Sequence, residues 1–411
     1  MNKTIAIIGT GPAGVRVAQT LRERGFDGTI KMFSAEDAPP YSPAALGEYL
    51  LGGDENLLYW QGTDFFSRYG IEAHTGEKIV RVAPESRKIY SVKDRSFDFD
   101  ELVIASGSSL FIPPSVEGND RKDILNFKSL KGAKDIRTMA GERLKTAIIL
   151  GGGFIGVEIA LCLAKIGIRP SILNRRGWVM PRLLDVETSG YVLDDLQKKG
   201  VEVLLNTEGK RFYGDKKTES LQTMDGRNLT SDMFVAATGV KPNIDFTLGS
   251  GIENDGASLP VNSRLQTNYP WIYACGDVAG TIDFISGKRV IHALHTTAVS
   301  HGKTVALNIL GHNEDHEPQL SMNSLKELSF KLIVVGSLEG EEMTFRRNGV
   351  LRKIFINEDK QINGYVLLGD ISGAGHLLSL LKNRTRIDKM GSRLAFPGYA
   401  RSLLTYVNYI T

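Results

Sequence analysis

Cysteine is nearly missing from this chain of 411 residues, which has only Cys162 and Cys275. Far apart in sequence, the two make no CxxC pair, which excludes a dithiol relay built from neighbouring thiols and a cysteine-rich zinc site. Each is expected to be a small buried residue. Histidine is scarce too, at seven residues. The closest pairs, His292 with His295 and His312 with His316, lack a supporting carboxylate set, so no metal is expected. Neither sign of charge dominates, with 50 Lys and Arg against 47 Asp and Glu for a net charge of +3. Nothing in that balance points to nucleic acid. No apolar run reaches the roughly 18 residues of a membrane helix. The N-terminus enters a strand at once, without the basic region or cleavage site of a signal peptide. The expectation is a soluble cytoplasmic protein with no membrane partner.

Glycine is what the chain has in quantity, and two clusters of it are patterned. The apolar run Thr4-Ile5-Ala6-Ile7-Ile8 leads into Gly9-Thr10-Gly11-Pro12-Ala13-Gly14, and Val15, Ala18 and Leu21 follow at helical spacing before Gly25. This is strand, tight turn, helix. The first glycine makes the turn, the second lets backbone amides approach a pyrophosphate, and the third lets helix and strand pack closely. A second strand, Thr29 to Phe33, ends near Glu36, at the distance where a carboxylate reaches a ribose 2′-hydroxyl. Glu36 as an ordinary solvated loop carboxylate is the blander alternative.

The pattern then repeats. Lys145-Thr146-Ala147-Ile148-Ile149-Leu150 precedes Gly151-Gly152-Gly153-Phe154-Ile155-Gly156, and Val157, Ala160, Leu161 and Ala164 follow. Its next strand ends differently, because Ser171-Ile172-Leu173 runs into Asn174-Arg175-Arg176 where an NADH site would place an acid. Guanidinium groups pair with a 2′-phosphate and a carboxylate repels one, so these residues favour NADPH over NADH. A solvated basic turn with NADH bound more weakly stays open.

Between and after these units, Glu101-Leu102-Val103-Ile104-Ala105 reads as a buried strand ending at Ser106-Gly107-Ser108, and Ile112-Pro113-Pro114 as a crossover. Met233 to Ala237 and the turn Thr238-Gly239-Val240-Lys241-Pro242-Asn243 close the second half. Trp271 to Cys275 is another buried strand ending in Gly276-Asp277, and a helix carries Ala298, Gly302, Ala306 and Leu310. The polar stretch Gly311 to Pro318 marks a linker. Short strands at Leu332 to Val335, Leu351 to Ile356 and Ile362 to Leu368, then a helix from Gly375 to Leu381, form a smaller α+β unit.

In this order the motifs Gly9 to Gly14, Ala105-Ser106-Gly107, Gly151 to Gly156, Ala237-Thr238-Gly239-Val240-Lys241-Pro242-Asn243 and Tyr273-Ala274-Cys275-Gly276-Asp277 resemble the FAD-dependent pyridine-nucleotide oxidoreductases over nearly the whole chain. The resemblance implies an α/β fold with two Rossmann-like nucleotide-binding domains of the glutathione-reductase type and a smaller α+β C-terminal domain. Residues 1–111 with 245–317 would bind FAD, 112–244 would bind NAD(P)H, and 318–411 would form an interface domain. It implies FAD contacts from Gly9, Gly11, Pro12, Ala13, Gly14, Glu36, Ile79, Ala105, Ser106, Gly107, Gly276 and Asp277, the last on the ribityl chain. It implies dinucleotide contacts from Gly151, Gly153, Phe154, Ile155, Gly156, Asn174, Arg175, Arg176 and Gly239.

Within the family, Pro40 to Tyr49 is similar to the segment beside the flavin in ferredoxin and rubredoxin reductases, with Pro43 in place of their arginine. Glu48 stands where aromatic-dioxygenase reductases carry lysine, as in rubredoxin reductases and the flavin part of NAD(P)H nitrite reductases. Gly364-Tyr365-Val366-Leu367-Leu368-Gly369-Asp370 resembles the same subgroup. Thiol-bearing NADH oxidases and coenzyme A disulfide reductases would have a cysteine where this chain has Ser42, Pro43, Ala44 and Ala45. Glu158 matches the family glutamate near the nicotinamide and flavin, with an orienting or pKa-tuning role, and Glu48 would add a second charge. His295, Ala298 and His301 fall where relatives place tryptophan, alanine and glutamine near the flavin ring, so the alanine fits and the histidines depart.

The function so implied is an NAD(P)H-dependent flavoprotein reductase that passes electrons through FAD to a small iron–sulfur carrier such as ferredoxin or rubredoxin. An NAD(P)H oxidase or diaphorase using oxygen or quinones, and a flavoprotein whose redox state controls partner binding, remain open. Lys382, Arg384, Arg386, Lys389 and Arg393 would steer an acidic carrier or form a solvated basic face. Phe396 to Thr411 match no motif, and either a monomer or a homodimer is compatible with the sequence.

Overall fold

The computed structural model describes residues 3–141, 144–387 and 391–398. Lys389 of the basic cluster, and Tyr399 with the apolar residues after it, lie outside them. The chain divides into two compact units, one of Met1–Phe111, Asn126–Met139 and Gly239–Gln319, the other of Ile112–Leu125, Ala140–Thr238 and Leu320–Thr411.

The first unit is organised by a parallel sheet in the order Ile272–Ala274, Glu101–Ile104, Thr4–Ile8, Thr29–Phe33, Glu72–His74. Its central strands are apolar on both faces, and Ile5, Ala6, Ile7, Leu102, Val103 and Ile104 are fully buried, as a parallel sheet covered on both sides requires. Each large aliphatic side chain so buried contributes about 1.5–3 kcal/mol. Helices Pro12–Glu23 and His295–Ile309 pack together through small residues. A Cβ on Gly302 would lie 2.4 Å from the carbonyl oxygen of Ala13, so only glycine lets the two helices approach this closely. An antiparallel sheet of Ile79–Ala83, Lys88–Ser91 and Ser96–Asp98 is inserted in the chain between strands Glu72–His74 and Glu101–Ile104.

The second unit repeats the design. Parallel strands run in the order Glu202–Leu205, Arg169–Asn174, Thr146–Leu150, Met233–Ala236, with helices Phe154–Lys165 and Val186–Lys198 as connections. A five-stranded antiparallel sheet, in the order Met322–Leu325, Leu332–Gly336, Ile362–Leu368, Val350–Ile356, Glu341–Arg347, belongs to this unit together with helix Ala374–Lys382. Charged contacts tie it to the nucleotide-type helices. Lys165 Nζ lies 3.1 Å from Glu327 Oε2, Lys199 donates to the Glu327 carbonyl at 2.6 Å, and Ser329 N–H donates to Asp195 at 3.0 Å.

Two segments differ from the sequence expectation. Residues 126–139, which the pattern runs into an unbroken 112–244 domain, belong to the first unit. The expected linker at 311–318 is tied down, with His316 N–H donating to the Ser263 carbonyl at 2.7 Å. Among the described residues, no helix is long and apolar enough to cross a membrane.

Candidate functional site

In the first unit, Gly9 has φ +118, and a Cβ there would fall 2.0 Å from the carbonyl oxygen of Ala105. On Gly14 it would fall 2.1 Å from the carbonyl oxygen of Gly9, so both positions admit only glycine. At Gly11 nothing lies within 4 Å. Gly11 also caps helix Pro12–Glu23 with φ −74 and ψ −178 and supplies no side-chain cap. Space is therefore open beside Gly11 at the helix N-terminus, where the partial positive charge of the first-turn amides suits a pyrophosphate. The cradle fits a dinucleotide.

Residues distant in sequence close around it. A Cβ on Gly276, whose φ is +71, would lie 3.2 Å from the Cβ of Ala13 and 3.8 Å from that of Ala298. The turn at Ala105-Ser106-Gly107 is locked by Asn243, which donates its side-chain amide to the Ser106 carbonyl at 3.0 Å and accepts the Ser106 hydroxyl on its own carbonyl at 2.7 Å. Gly239, expected with the second nucleotide, belongs to this first unit and leads the strand Val240–Pro242, which pairs with Ser108–Leu110. Ile79 is buried at a register shift in its strand.

Glu36 accepts a hydrogen bond from the Tyr41 hydroxyl at 2.7 Å and, on its other oxygen, from Lys131 N–H at 3.4 Å. Tyr41 in turn accepts Leu130 N–H at 3.1 Å. Burial, then the Glu36 charge, holds the phenol far above its ordinary pKa, so Tyr41 stays a donor to Glu36. Glu48 is exposed on the short helix Leu46–Leu50. Arg137 fixes that segment, donating to the carbonyls of Tyr49 at 3.2 Å and Gly53 at 3.0 Å while covering the Tyr49 ring at 4.5 Å. His295 meets the ring of Trp60 edge-on at 6.1 Å, so an indole reaches this position from another segment.

One charged residue escaped the sequence reading. Lys128 Nζ donates to Asp277 Oδ2 at 2.7 Å, and the Ser108 hydroxyl donates to the same oxygen at 2.6 Å. No spacing rule flags Lys128, because the segment that carries it returns to the first unit from between the two glycine patterns.

The second unit's cradle has matching geometry. Gly151 has φ +112 with its virtual Cβ 2.3 Å from the Ala237 carbonyl oxygen, and that of Gly156 is 1.8 Å from the Gly151 carbonyl oxygen. Gly153 is open and caps helix Phe154–Lys165 at φ −79 and ψ −172, with Phe154 and Ile155 in its first turn. At the end of the next strand, Asn174 is 5% exposed and donates its amide to the carbonyls of Arg176 at 2.9 Å and Trp178 at 2.7 Å. It shapes the loop, while Arg175 and Arg176 are exposed on it.

Residues 3–302 match the pyridine nucleotide-disulphide oxidoreductase family. The chain belongs to that family. It is 29% identical over 399 residues to an NAD(P)H nitrite reductase of Bacillus subtilis, covering 94% of this chain and 48% of that protein, so it spans about half the length of that relative. It is 31% identical over 324 residues to an NADH oxidase of Methanocaldococcus jannaschii, covering 77% of this chain and 72% of that one. The structure of NADH:rubredoxin oxidoreductase from Clostridium acetobutylicum shares the fold, with a TM-score of 0.78 at 22% identity over 96% of this chain and 99% of that one.

The family is named after disulphide chemistry, and the two cysteines of this chain lie far apart in its sequence. Cys162 and Cys275 are both free and buried. Burial, then Glu158 and Glu327, pushes the Cys162 thiol up to about 12, and burial alone pushes Cys275 up further. Neither is a thiolate near neutrality. Glu158, half-buried on helix Phe154–Lys165, has its carboxyl raised by burial and by Glu327, against the opposing pull of Lys326.

Proposed function

We propose that the chain takes electrons from NADPH into FAD and delivers them directly to a small one-electron redox protein, most simply an iron–sulfur carrier such as ferredoxin or rubredoxin. The observation that carries this reading is the lack of a usable thiol: both cysteines are buried and protonated, and Ser42 to Ala45 hold none. A reductase without a dithiol must discharge its flavin straight into the acceptor. The fold shared with the Clostridium acetobutylicum enzyme is consistent with that route.

In this reading FAD supplies two-electron uptake and one-electron release, and the protein supplies position. The unit of residues 1–111, 126–139 and 239–319 holds FAD through the Gly9 to Gly14 amides, Glu36 and Asp277. The unit of residues 112–125, 140–238 and 320–411 holds the dinucleotide through the Gly151 to Gly156 amides, with Arg175 and Arg176 on the 2′-phosphate, and its last part contributes an interface. Glu158 orients the nicotinamide, its carboxyl raised above the ordinary value by burial. Glu48 adds a charge whose removal in Glu48→Gln shifts the flavin midpoint potential.

Steady-state turnover tests the reading. NADPH-dependent reduction of a ferredoxin or rubredoxin should be at least about tenfold faster than oxygen consumption, a gap of roughly 1.4 kcal/mol in barrier. Oxygen consumption that matches the fastest carrier turnover would overturn it in favour of an oxidase.

A further inference from the structure

His301 lies in the second turn of helix His295–Ile309 and is 1% exposed. Its Nδ1 sits 3.1 Å from the backbone nitrogen of Gly276. A backbone N–H can only donate, so Nδ1 must offer a lone pair, which fixes the ring as neutral with its proton on Nε2. Gly276 opens the turn Gly276–Val278, and the next residue is Asp277, whose carboxylate Lys128 and Ser108 clasp. The imidazole thus holds the turn's backbone while the lysine and serine hold its carboxylate.

Other histidines surround it. His316, from the segment 311–318, places its ring 4.4 Å from that of His301 at 85°. His292 is 7% exposed, with Nε2 3.4 Å from Asp283 Oδ2. Nε2 of all three rings has no hydrogen-bond partner among the described residues. Charged groups on neighbouring elements include Arg16, whose Cβ approaches Gly302 across the helix pair, Asp277 with Lys128, Asp283 beside His292, and Asp315 next to His316, which accepts the Ser263 hydroxyl at 2.6 Å. None of these carboxylates is paired with His301. A proton arriving at Nδ1 would meet the Gly276 N–H head-on, with two donors and no acceptor between them.

We propose that His301 is a positioning residue for the Gly276-Asp277 turn, and that its neutral imidazole couples the grip of this turn on FAD to pH. The inference rests on the reading that Asp277 contacts FAD. Burial, then His316 and His292, lowers the folded-state pKa of His301 to about 3, and burial with His292 lowers His316 to about 4. An opened turn returns the imidazole to its ordinary value near 6.5. Protons therefore favour the open turn, and the closed turn loses ground as pH falls below about 6.5, fully so near about 3.

The test compares His301→Asn and His301→Leu with the parent chain. Asparagine places Oδ1 the same number of bonds from the backbone as Nδ1 and accepts the Gly276 N–H without titrating; leucine leaves that N–H buried and unmet. Near pH 7.5, FAD affinity by fluorescence quenching should be within about threefold of the parent for His301→Asn and at least about tenfold weaker for His301→Leu. Lowering the pH to about 5 should weaken FAD binding in the parent and much less in His301→Asn. Leucine binding FAD as tightly as the parent, or superimposable pH profiles for parent and asparagine, would overturn the proposal. Nitrogen-15 NMR of histidine in the FAD-free chain separates the two layers. A bare Nδ1 on His301 supports the positioning bond by itself, and a protonated Nδ1 overturns it. Failure of the parent to bind FAD would instead overturn the flavin assignment.

Discussion

Gly153 and Gly156 make opposite demands though they sit three positions apart. At Gly156 a methyl group would collide with the Gly151 carbonyl, whereas at Gly153 it would enter open space. Gly156→Ala should therefore destabilise the fold by about 1–3 kcal/mol, read as a lower urea midpoint. Gly153→Ala should leave that midpoint unchanged and raise the KM for the dinucleotide by about tenfold or more, because the methyl group occupies the cradle rather than the core. The glycine spacing alone located both positions. It did not disclose Asn174, whose side chain the sequence offers to the nucleotide and the structure turns inward on Arg176 and Trp178. Nor did it disclose Lys128, since a lysine becomes an Asp277 partner only through the chain's return.

At the level of elements, the strands were legible where an apolar run is buried on both faces, as in Thr4–Ile8 and Thr146–Leu150. Helices Leu130–Gly141 and Val186–Lys198 were not. The first buries only Leu130, Gly132, Ala133 and Ile136, and the second buries Thr188, Ser189 and Asp195 beside Val192 and Leu196, so small and polar residues make up much of each buried face. The second begins at an Asp185 cap that accepts Thr188 N–H at 2.7 Å. Lys353, 4% exposed in side chain, reaches from the antiparallel sheet to Asp185 at 2.9 Å and Glu187 at 2.7 Å. Lys353→Met should cost about 2 kcal/mol, because it leaves Asp185 without this cation and Glu187 with Arg346 alone; chemical denaturation reads it. Hydrogen bonds from Arg346 and then Lys353 hold the Glu187 carboxyl at about 2. Since the folded value is depressed, this contribution is complete above about pH 4.5 and is lost as pH falls towards about 2. Thermal melts of the Glu187→Gln variant should converge on the parent across that window.

For the whole molecule, two nucleotide cradles of matching geometry and no reactive thiol define what the chain can do. The first cradle carries an acid, Glu36, after its second strand, and the second carries exposed Arg175 and Arg176. Replacing both arginines with alanine should raise the KM for NADPH by about ten- to a hundredfold and change that for NADH by less than about threefold, the loss of two charge-assisted contacts to a phosphate that NADH lacks. Equal losses for both dinucleotides would place the arginines elsewhere. In the proposed route no thiol stands between flavin and acceptor, and the decisive measurement is anaerobic titration of the FAD-loaded chain with NADPH. The flavin should bleach completely at one equivalent of NADPH per FAD, with no thiolate–flavin charge-transfer band on the way. A requirement for two equivalents, with such a band at the first, would reveal a redox-active disulphide and overturn the thiol-free route.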